Sequence, residues 1–313
     1  MKTLKHLCYT SHDEVMFRNS DDMNYAFNSL CSALYKTDSI CLAEAFISTH
    51  HHGCYLTSLP KELMHIHRTS YTKYFNNKYG RSGSLGEKGF FIQEVEGLRH
   101  QVSAITYVLK NPVHHGICAT PFAYPYCSSN AFFWKELGKD YSPRLLTREQ
   151  IRMSLPRRAE FDSSWMMGVD GVFLRESVLE TAMVEGLYST PQAFNYMLSR
   201  KSGEDWVKEQ DMDAVSCPPV TLESIESPLF TGDSGKDETL FRMLQNERSR
   251  FNRSAMTDLR LCGIVDKDLA AGDKPRTIYQ LSREEKIRMA NDIYRRFHCG
   301  KEQIRRCLAM NGY

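Results

Sequence analysis

The first 135 residues alternate between segments with strand-like and segments with helical hydrophobic spacing. The pattern predicts a short strand over residues 14–18 and a strand-rich stretch over residues 39–56. Helices are predicted over residues 21–34, 63–75 and 95–109. The third helix should end before Asn111-Pro112, because the residue before a proline avoids helical geometry. This alternation predicts an α+β fold of the ferredoxin-like (RRM-like) kind, an antiparallel sheet with helices on one face.

The remainder of the chain is expected to form two further regions. A length of 313 residues is sufficient for more than one folded unit. Residues 136–240 combine a predicted helical module, opened by a capping box at Thr147–Gln150, with a polar, turn-rich connection over 201–240. Residues 241–313 form a predicted helical C-terminal domain. We therefore expect a first domain over residues 1–135, followed by a helical module with its linker and then by a C-terminal domain.

The composition excludes several classes of protein. The net charge is only +2, so any charge that binds nucleic acid must be local. No apolar run approaches the roughly 18–20 residues that a membrane helix needs, and the N-terminus lacks the long apolar stretch of a signal peptide. We therefore expect a cytoplasmic protein with no membrane partner. The ten cysteines include no Cys-x-x-Cys pair, which excludes a zinc ribbon and favours reduced thiols.

Three consecutive histidines, His50, His51 and His52, follow the apolar run Ala45-Phe46-Ile47. On a strand, side chains two residues apart point to the same face, so His50 and His52 can bind one divalent cation while His51 faces away. The alternative is that the triplet forms a solvent-exposed turn and binds nothing.

A tyrosine on the third predicted helix has a polar partner one turn later. Tyr107 and Asn111 are four residues apart, which places both side chains on one helix face, about 5–6 Å apart at Cβ. Tyr107 could then attack a phosphate while the amide oxygen of Asn111 contributes to a metal site. The alternative is a packing role, because the chain has 16 tyrosines and its composition does not single out Tyr107.

The order of these segments resembles the REP-associated branch of the single-tyrosine HUH transposases. The resemblance covers roughly residues 14–135, and the segments that carry it are Val15-Met16-Phe17-Arg18, the helix at Asp21-Asp22, the His-x-His strand, Tyr71–Gly83, Tyr107-x-x-x-Asn111-Pro112-Val113 and Tyr124–Ser129. The resemblance assigns the catalytic tyrosine to Tyr107, the metal histidines to His50 and His52, and the polar metal ligand to Asn111. The sequence departs from the family at His51, where a hydrophobic residue is usual, and at Gly53-Cys54, where Leu-Leu is usual.

The resemblance implies a metal-dependent transposase that cleaves and rejoins single-stranded DNA through a 5′-phosphotyrosine intermediate. The expected cofactor is Mg²⁺ or Mn²⁺, because two imidazoles, an amide oxygen and a phosphate oxygen form a mixed nitrogen and oxygen ligand set. The expected partners are single-stranded DNA, folded as hairpins at element ends, and a second copy in a homodimer. The alternatives are a domesticated, non-catalytic DNA-binding regulator with the same fold and a replication-initiation nickase, although no replication context is visible in the sequence.

Two regions carry residues expected to contact DNA. Residues 65–91 interleave cations with aromatic rings, as single-strand binding surfaces do, and the members expected to contact DNA are Arg68, Lys73, Tyr74, Lys78 and Arg81. Near the C-terminus, a helix opened by a capping box at Ser282–Glu285 ends at His298-Cys299-Gly300. A second helix over 301–310 carries Arg305 and Arg306, so the pair predicts a helix-turn-helix. The alternatives are core packing for the aromatic rings and an ordinary helical hairpin at the C-terminus.

Overall fold

A computed structural model gives the fold of most of the chain. The predicted turn-rich connection over 201–240 lies almost entirely outside the residues that it describes. All ten cysteines are described, and all are free thiols. No helix in the described part of the chain is long and apolar enough to cross a membrane. The described residues are 1–138, 143–157, 159–200, 209–210, 213, 215, 217, 220–221, 256–272 and 275–310.

Four strands form one antiparallel sheet in the order β2-β3-β1-β4. Their bounds are Thr3–Thr10 for β1, Ile40–Ile47 for β2, His50–Thr57 for β3 and Phe91–Glu94 for β4. Helices follow β1 and β3, which gives the β-α-β-β-α-β order of a ferredoxin-like fold. The predicted fold class is therefore confirmed.

Three helices cover the sheet, and their bounds are Ser20–Lys36 for α1, Pro60–Tyr79 for α2 and Leu98–His114 for α3. Helices α1 and α2 pack against each other on one face, and α3 packs against β2 and β3. His51 of β3 contacts α2 through His67, whereas His50, on the other side of the strand, contacts α3 through Asn111. Helix α3 therefore covers the opposite face of the sheet.

The predicted end of α3 before Asn111-Pro112 was wrong, because the helix continues through Pro112 to His114. A proline removes its own N–H donor and its ring crowds the carbonyl group four residues earlier, but here it lies in the last turn of the helix, where little helix remains to be disrupted. The hydrogen bond from His115 N to Asn111 O re-forms directly after it, at 3.1 Å. Asn111 is thus held inside a regular helical turn.

The predicted strand over 14–18 was also wrong, because these residues form a buried loop between β1 and α1. Val15, Met16 and Phe17 are fully buried, which explains their apolar, strand-like pattern. Their backbone does not pair with a neighbouring strand of the sheet. Instead, the N–H groups of Met16 and Phe17 both donate to Ser48 O, in the turn between β2 and β3.

The described part of the middle region, residues 143–157 and 159–200, contains four helices and shares its core with the sheet. The helices are α4 over Arg148–Ser154, α5 over Arg175–Val178, α6 over Thr181–Tyr188 and α7 over Pro191–Ser199. The capping box between Thr147 and Gln150 is present. Val184 and Phe194 belong to the same buried cluster as the side chains of the sheet. This region is therefore packed onto the first domain through a continuous core.

Three helices form the described part of the C-terminal region, namely α8 over Asp258–Ala270, α9 over Arg283–Phe297 and α10 over Lys301–Cys307. The capping box of Ser282 and Glu285 opens α9, and His298 ends it in a left-handed conformation (φ 52°). The buried side chains of these helices form a second hydrophobic cluster, which also contains Val15 of the loop between β1 and α1. The C-terminal helices are thus docked on the first domain.

Candidate active site

The three histidines of β3 point alternately to the two faces of the sheet. His51 stacks on Phe46 with ring centroids 4.0 Å apart, and its Nε2 lies 3.0 Å from the hydroxyl of Tyr55. His50 and His52 lie on the face that α3 covers. His51 is therefore a core residue on the side of α2, away from the other two histidines.

The structure brings the four predicted catalytic and metal residues together. Nε2 of His50 lies 3.1 Å from Oδ1 of Asn111, and the ring centroids of His52 and Tyr107 are 5.5 Å apart. Tyr107 and Asn111 occupy one face of α3, as residues four apart on a helix do. All four side chains are buried, and Tyr107 is only 3% exposed. The sequence therefore folds into a compact group of two imidazoles, an amide and a phenol.

The Nδ1 atoms of His50 and His52 have neighbours that orient the two rings. Nδ1 of His50 lies 3.1 Å from the hydroxyl oxygen of Thr49, and Nδ1 of His52 lies 3.0 Å from Nε2 of His6. Oδ1 of Asn111 can only accept, so in the neutral ring of His50 Nε2 donates to it and Nδ1 accepts from the Thr49 hydroxyl. A metal ion at Nε2 would take the place of this proton, and Nδ1–H would then donate to the Thr49 oxygen. Between His6 and His52, one nitrogen donates and the other accepts. Partners of this kind fix the tautomer and orientation of metal-binding histidines.

Burial keeps these imidazoles neutral. Desolvation lowers the pKa of His6 and of His50 to about 3, and it holds the pKa of His52 well below its ordinary value. At neutral pH all three rings are therefore uncharged. The neutral imidazole is the form that can bind a metal ion through its lone pair.

The donor geometry fits a divalent cation at His50 and Asn111. Two neighbouring ligands of an octahedral ion, each about 2.1 Å from the metal, lie about 3 Å apart. Nε2 of His50 and Oδ1 of Asn111 are 3.1 Å apart, and the buried Nδ2 of Asn111 has no hydrogen-bond partner in the described part of the protein. Nε2 of His52 is turned toward Sγ of Cys8, 3.6 Å away, so His52 joins this pair only if its ring turns.

His, Cys, Asp and Glu side chains alone do not form a metal site in the described part of the chain. Among the described residues, no group of three or more His, Cys, Asp or Glu side chains is arranged to hold a metal ion. Asn111 is outside that set of residue types, and His52 is engaged by His6 and Cys8. The assignment of His50, His52 and Asn111 as ligands for Mg²⁺ or Mn²⁺ thus stays a prediction.

Several residues near the group were missed in the sequence. His6 and Cys8 lie on β1, whereas the first strand was predicted at residues 14–18. His114 and His115 directly follow the Asn-Pro-Val motif, and their rings lie 6.2 Å from Tyr107 and 4.7 Å from His50, respectively. The alternation His6-x-Cys8 and the His-His pair after the motif were the signals that could have identified them.

Among the residues expected to contact DNA, Lys73 is exposed on α2. Arg68 is used within the protein, since its guanidinium lies over the ring of Tyr9, 4.0 Å from the centroid, and donates to the carbonyl oxygens of Lys88 and Gly89. The ring of Tyr74 stacks on that of Tyr25 with centroids 3.8 Å apart. Of these three predicted DNA contacts, Lys73 is exposed, whereas Arg68 and Tyr74 are half-buried.

Lys78 and Arg81 form internal ion pairs. Nζ of Lys78 lies 2.7 Å from Oδ1 of the fully buried Asp22. Arg81 pairs with Glu14 in the loop between β1 and α1. Each of the two cations therefore has a buried carboxylate as its partner. A role of either residue in DNA binding stays a prediction.

The two arginines of α10 are also engaged within the protein. Arg306 forms two hydrogen bonds with the carboxylate of Asp258, at 2.7 and 2.8 Å, and Arg305 pairs with Asp13 and Glu302. Helix α10 is seven residues long and buries Ile304 and Cys307. This docking argues against the entry of α10 into a major groove in this arrangement. DNA binding by Arg305 and Arg306 stays a prediction.

Comparisons with solved structures find a similarity that covers part of the chain. No protein-family profile matches the chain, and no curated protein matches its sequence. Among solved structures, the chain is similar to a REP-associated tyrosine transposase bound to a REP hairpin. The similarity covers 46% of this chain and 84% of that chain, with 10% sequence identity and a TM-score of 0.37. A similarity at this level assigns no function, which must be argued from the residues themselves.

Proposed function

We propose that this protein is a metal-dependent transposase that cleaves and rejoins single-stranded DNA with Tyr107 as its nucleophile. The observation that carries the proposal is the convergence of Tyr107 with His50, His52 and Asn111 between α3 and one face of the sheet. A phenol beside neutral imidazoles and an amide oxygen combines a nucleophile with ligands suited to a divalent cation. Packing alone does not require three polar side chains to meet there.

In the proposed reaction, the phenolic oxygen of Tyr107 attacks the scissile phosphorus and the bond to the 3′ oxygen breaks. The product is a 5′-phosphotyrosine, and the other strand end leaves as a 3′-hydroxyl. The phenol must lose its proton, and the rings nearest to it include His52 at 5.5 Å and His114 at 6.2 Å between centroids. A divalent cation held by His50, Asn111 and His52 would stabilise the charge on the phosphate.

The reverse reaction rejoins DNA. A 3′-hydroxyl attacks the phosphotyrosine and restores the phosphodiester, so no ATP is consumed. Because each chain supplies one Tyr107, two strand ends need two active sites. We therefore include a homodimer and hairpin-forming element ends in the proposal.

One observation favours a second candidate, a DNA-binding regulator that does not cleave. Tyr107 is 3% exposed and Asn111 is fully buried, so a phosphate reaches the phenol only after a local opening of the site. A regulator would bind DNA without any such opening. The two candidates therefore differ in whether a covalent intermediate forms.

The test is covalent trapping of DNA in the presence of Mn²⁺. The full chain is incubated with 3′-labelled oligonucleotides that carry a stem-loop with single-stranded arms, and labelled protein is resolved on a denaturing gel. We expect an adduct with the wild type and with the control Tyr196→Phe, which alters an exposed tyrosine, and none with Tyr107→Phe. If the wild type binds these oligonucleotides without forming an adduct, the regulator is the better description. An adduct that persists in Tyr107→Phe would exclude Tyr107 as the nucleophile.

A further inference from the structure

The turn Ser48-Thr49, which joins β2 to β3, directly precedes His50. Its carbonyl groups are fixed by the loop between β1 and α1. Ser48 O accepts from Met16 N at 2.8 Å, and Thr49 O accepts from Ser11 N at 2.8 Å. The Thr49 hydroxyl lies 3.1 Å from Nδ1 of His50. The position of this turn therefore controls the hydrogen bond that orients His50.

The side chain of Ser48 is held by the C-terminal region. Its hydroxyl donates to Oδ2 of Asp258, in the first turn of α8, at 2.8 Å. Asp258 is 8% exposed and also accepts from Arg306 and from Nε2 of Gln303. Burial raises the pKa of Asp258, but the Arg306 guanidinium and these hydrogen bonds outweigh it and hold the pKa below its ordinary value. A charged carboxylate is thus available to hold the turn at neutral pH.

Asp258 is itself rigidly placed, because the C-terminal helices are anchored by a second buried arginine. Arg18 is completely buried, donates to Asp266 of α8 at 2.6 Å and donates to the carbonyl oxygen of Cys307 at 2.8 Å. The N–H of Val15 donates to Arg306 O at 3.2 Å. The contact between Asp258 and Ser48 is therefore part of an ordered interface and does not depend on a single exposed ion pair.

We propose that Asp258 is a positioning residue for His50, acting through Ser48 and Thr49, and that the C-terminal helices form part of the catalytic unit. The role in catalysis rests on the proposed function, because it treats His50 as a metal ligand. The physical effect is a restriction of the turn, which keeps the Thr49 hydroxyl at Nδ1 of His50 and so keeps Nε2 directed at Asn111. This role differs from the reading of DNA by a separate helix-turn-helix.

The first measurement needs no metal. The full chain is labelled with ¹⁵N-histidine, and the ring-nitrogen chemical shifts of His50 are recorded for the wild type and for Ser48→Ala, which removes only the hydroxyl that donates to Asp258. The matched control is Ser164→Ala, because the Ser164 hydroxyl also donates to an aspartate, Asp162, but in an exposed loop. We expect Ser48→Ala to shift the His50 ring nitrogens, and Ser164→Ala to leave them unchanged. Ser48→Thr, which keeps a hydroxyl, should restore them.

The second measurement is the affinity for Mn²⁺, titrated into the metal-free protein and followed by electron paramagnetic resonance. We expect the dissociation constant of Ser48→Ala to rise about tenfold, at the lower end of the effect of losing an orienting partner. Asp258→Asn should act in the same direction, and Ser48→Ala decides the question if Asp258→Asn does not fold. Unchanged His50 shifts in folded Ser48→Ala would overturn the positioning role. A wild type that binds no Mn²⁺ and forms no DNA adduct would refute the proposed function instead, and the His50 shifts would still report on the turn.

Discussion

The imidazole of His6 lies parallel to that of His52, with Nε2 of His6 3.0 Å from Nδ1 of His52 and the ring planes 11° apart. The two residues come from neighbouring antiparallel strands, where His52 pairs with Cys8 and the side chain of His6 lies on the same face. Both rings are buried and neutral, so one nitrogen of this pair donates a hydrogen bond and the other accepts it. The tautomer of His52 is therefore coupled to that of His6.

We predict that His6→Phe weakens metal binding while the fold is retained. Phenylalanine fills a similar volume but cannot form a hydrogen bond with Nδ1 of His52, so His52 loses the partner that orients its ring. The dissociation constant for Mn²⁺ should rise by about 10- to 100-fold, the usual effect of losing such a partner. The control is His51→Phe, on the opposite face of the sheet, which should leave the Mn²⁺ affinity unchanged. Equal affinities for His6→Phe and the wild type would show that His6 does not orient a ligand.

Lys73 and Lys78 lie on the same helix but should respond differently to substitution. Lys73 is exposed, so Lys73→Ala should weaken binding of single-stranded DNA and reduce the slope of log K against log salt by about 0.7, the value for one phosphate contact. The measurement is a fluorescence-anisotropy titration of a labelled oligonucleotide at several salt concentrations. An unchanged slope for Lys73→Ala would remove Lys73 from the DNA-binding surface.

Lys78→Ala should instead destabilise the fold. Lys78 neutralises the buried carboxylate of Asp22, and loss of the partner leaves that charge uncompensated. We expect a lower urea midpoint for Lys78→Ala than for Lys73→Ala. A Lys78→Ala variant with wild-type stability and a reduced salt slope would reverse this assignment.

The parts of the site that were predicted from the sequence are those set by local periodicity. His50 and His52 are two residues apart on a strand, and Tyr107 and Asn111 are four residues apart on a helix, so each pair shares a face whatever the rest of the chain does. The contact between His6 and His52 depends on the pairing of two strands 46 residues apart. No short-range pattern encodes that pairing, so the contact between His6 and His52 was not predicted.

The predicted DNA contacts show a second limit of the sequence, which does not identify the partner of a charged side chain. Residue type identifies Lys78 and Arg306 as cations but does not reveal their partners, Asp22 and Asp258, which lie 56 and 48 residues away along the chain. The apolar loop over 14–18 was misassigned for a related reason, because its burial produces the same apolar pattern as a strand. Met16 and Phe17 are buried in the main core, and Val15 is buried against the C-terminal helices. In each of these examples, contacts between residues that are distant along the chain determine the local structure or the ion-pair partner.

The buried histidines predict a loss of stability in mild acid. Burial lowers the pKa of His6, His50 and His67 to about 3, whereas the unfolded chain titrates near 6.5. Between these values the unfolded state binds more protons, so the free energy of unfolding must fall as the pH is lowered from about 6.5 toward 3. Each such histidine contributes up to about 1.4 kcal/mol per pH unit in that range. Urea denaturation at a series of pH values measures this slope.

A substitution on α2 tests how much one of these histidines contributes to the pH dependence of stability. His67→Phe removes one proton-binding group from the unfolded chain, so its stability should depend less steeply on pH than that of the wild type. Met64→Leu changes a neighbouring buried residue of similar volume without altering proton binding, and its slope should match the wild type. Identical slopes for all three proteins would mean that His67 is not neutral in the folded state.

A buried ion pair joins the helical module to the sheet. Nε of Arg175, in α5, lies 2.5 Å from Oε1 of Glu44, in β2, and Glu44 is completely buried. Burial raises the pKa of Glu44, and the favourable contact with Arg175 lowers it only in part, so the pKa remains above its ordinary value. The guanidinium also lies 4.2 Å from the ring centroid of Phe27, in α1. Arg175 therefore contacts two elements of the first domain.

Arg175→Met should lower the free energy of unfolding by about 3–5 kcal/mol, because it leaves the Glu44 carboxylate buried without a counter-charge. Adding Glu44→Gln should recover much of that loss, since the double variant buries no charge. The loss in the single variant should also shrink as the pH is lowered and Glu44 becomes protonated. Urea denaturation measures each effect, and the exposed Arg148→Met should stay within about 0.5 kcal/mol of the wild type. A small, pH-independent loss in Arg175→Met would show that the module is held by apolar packing and not by this pair.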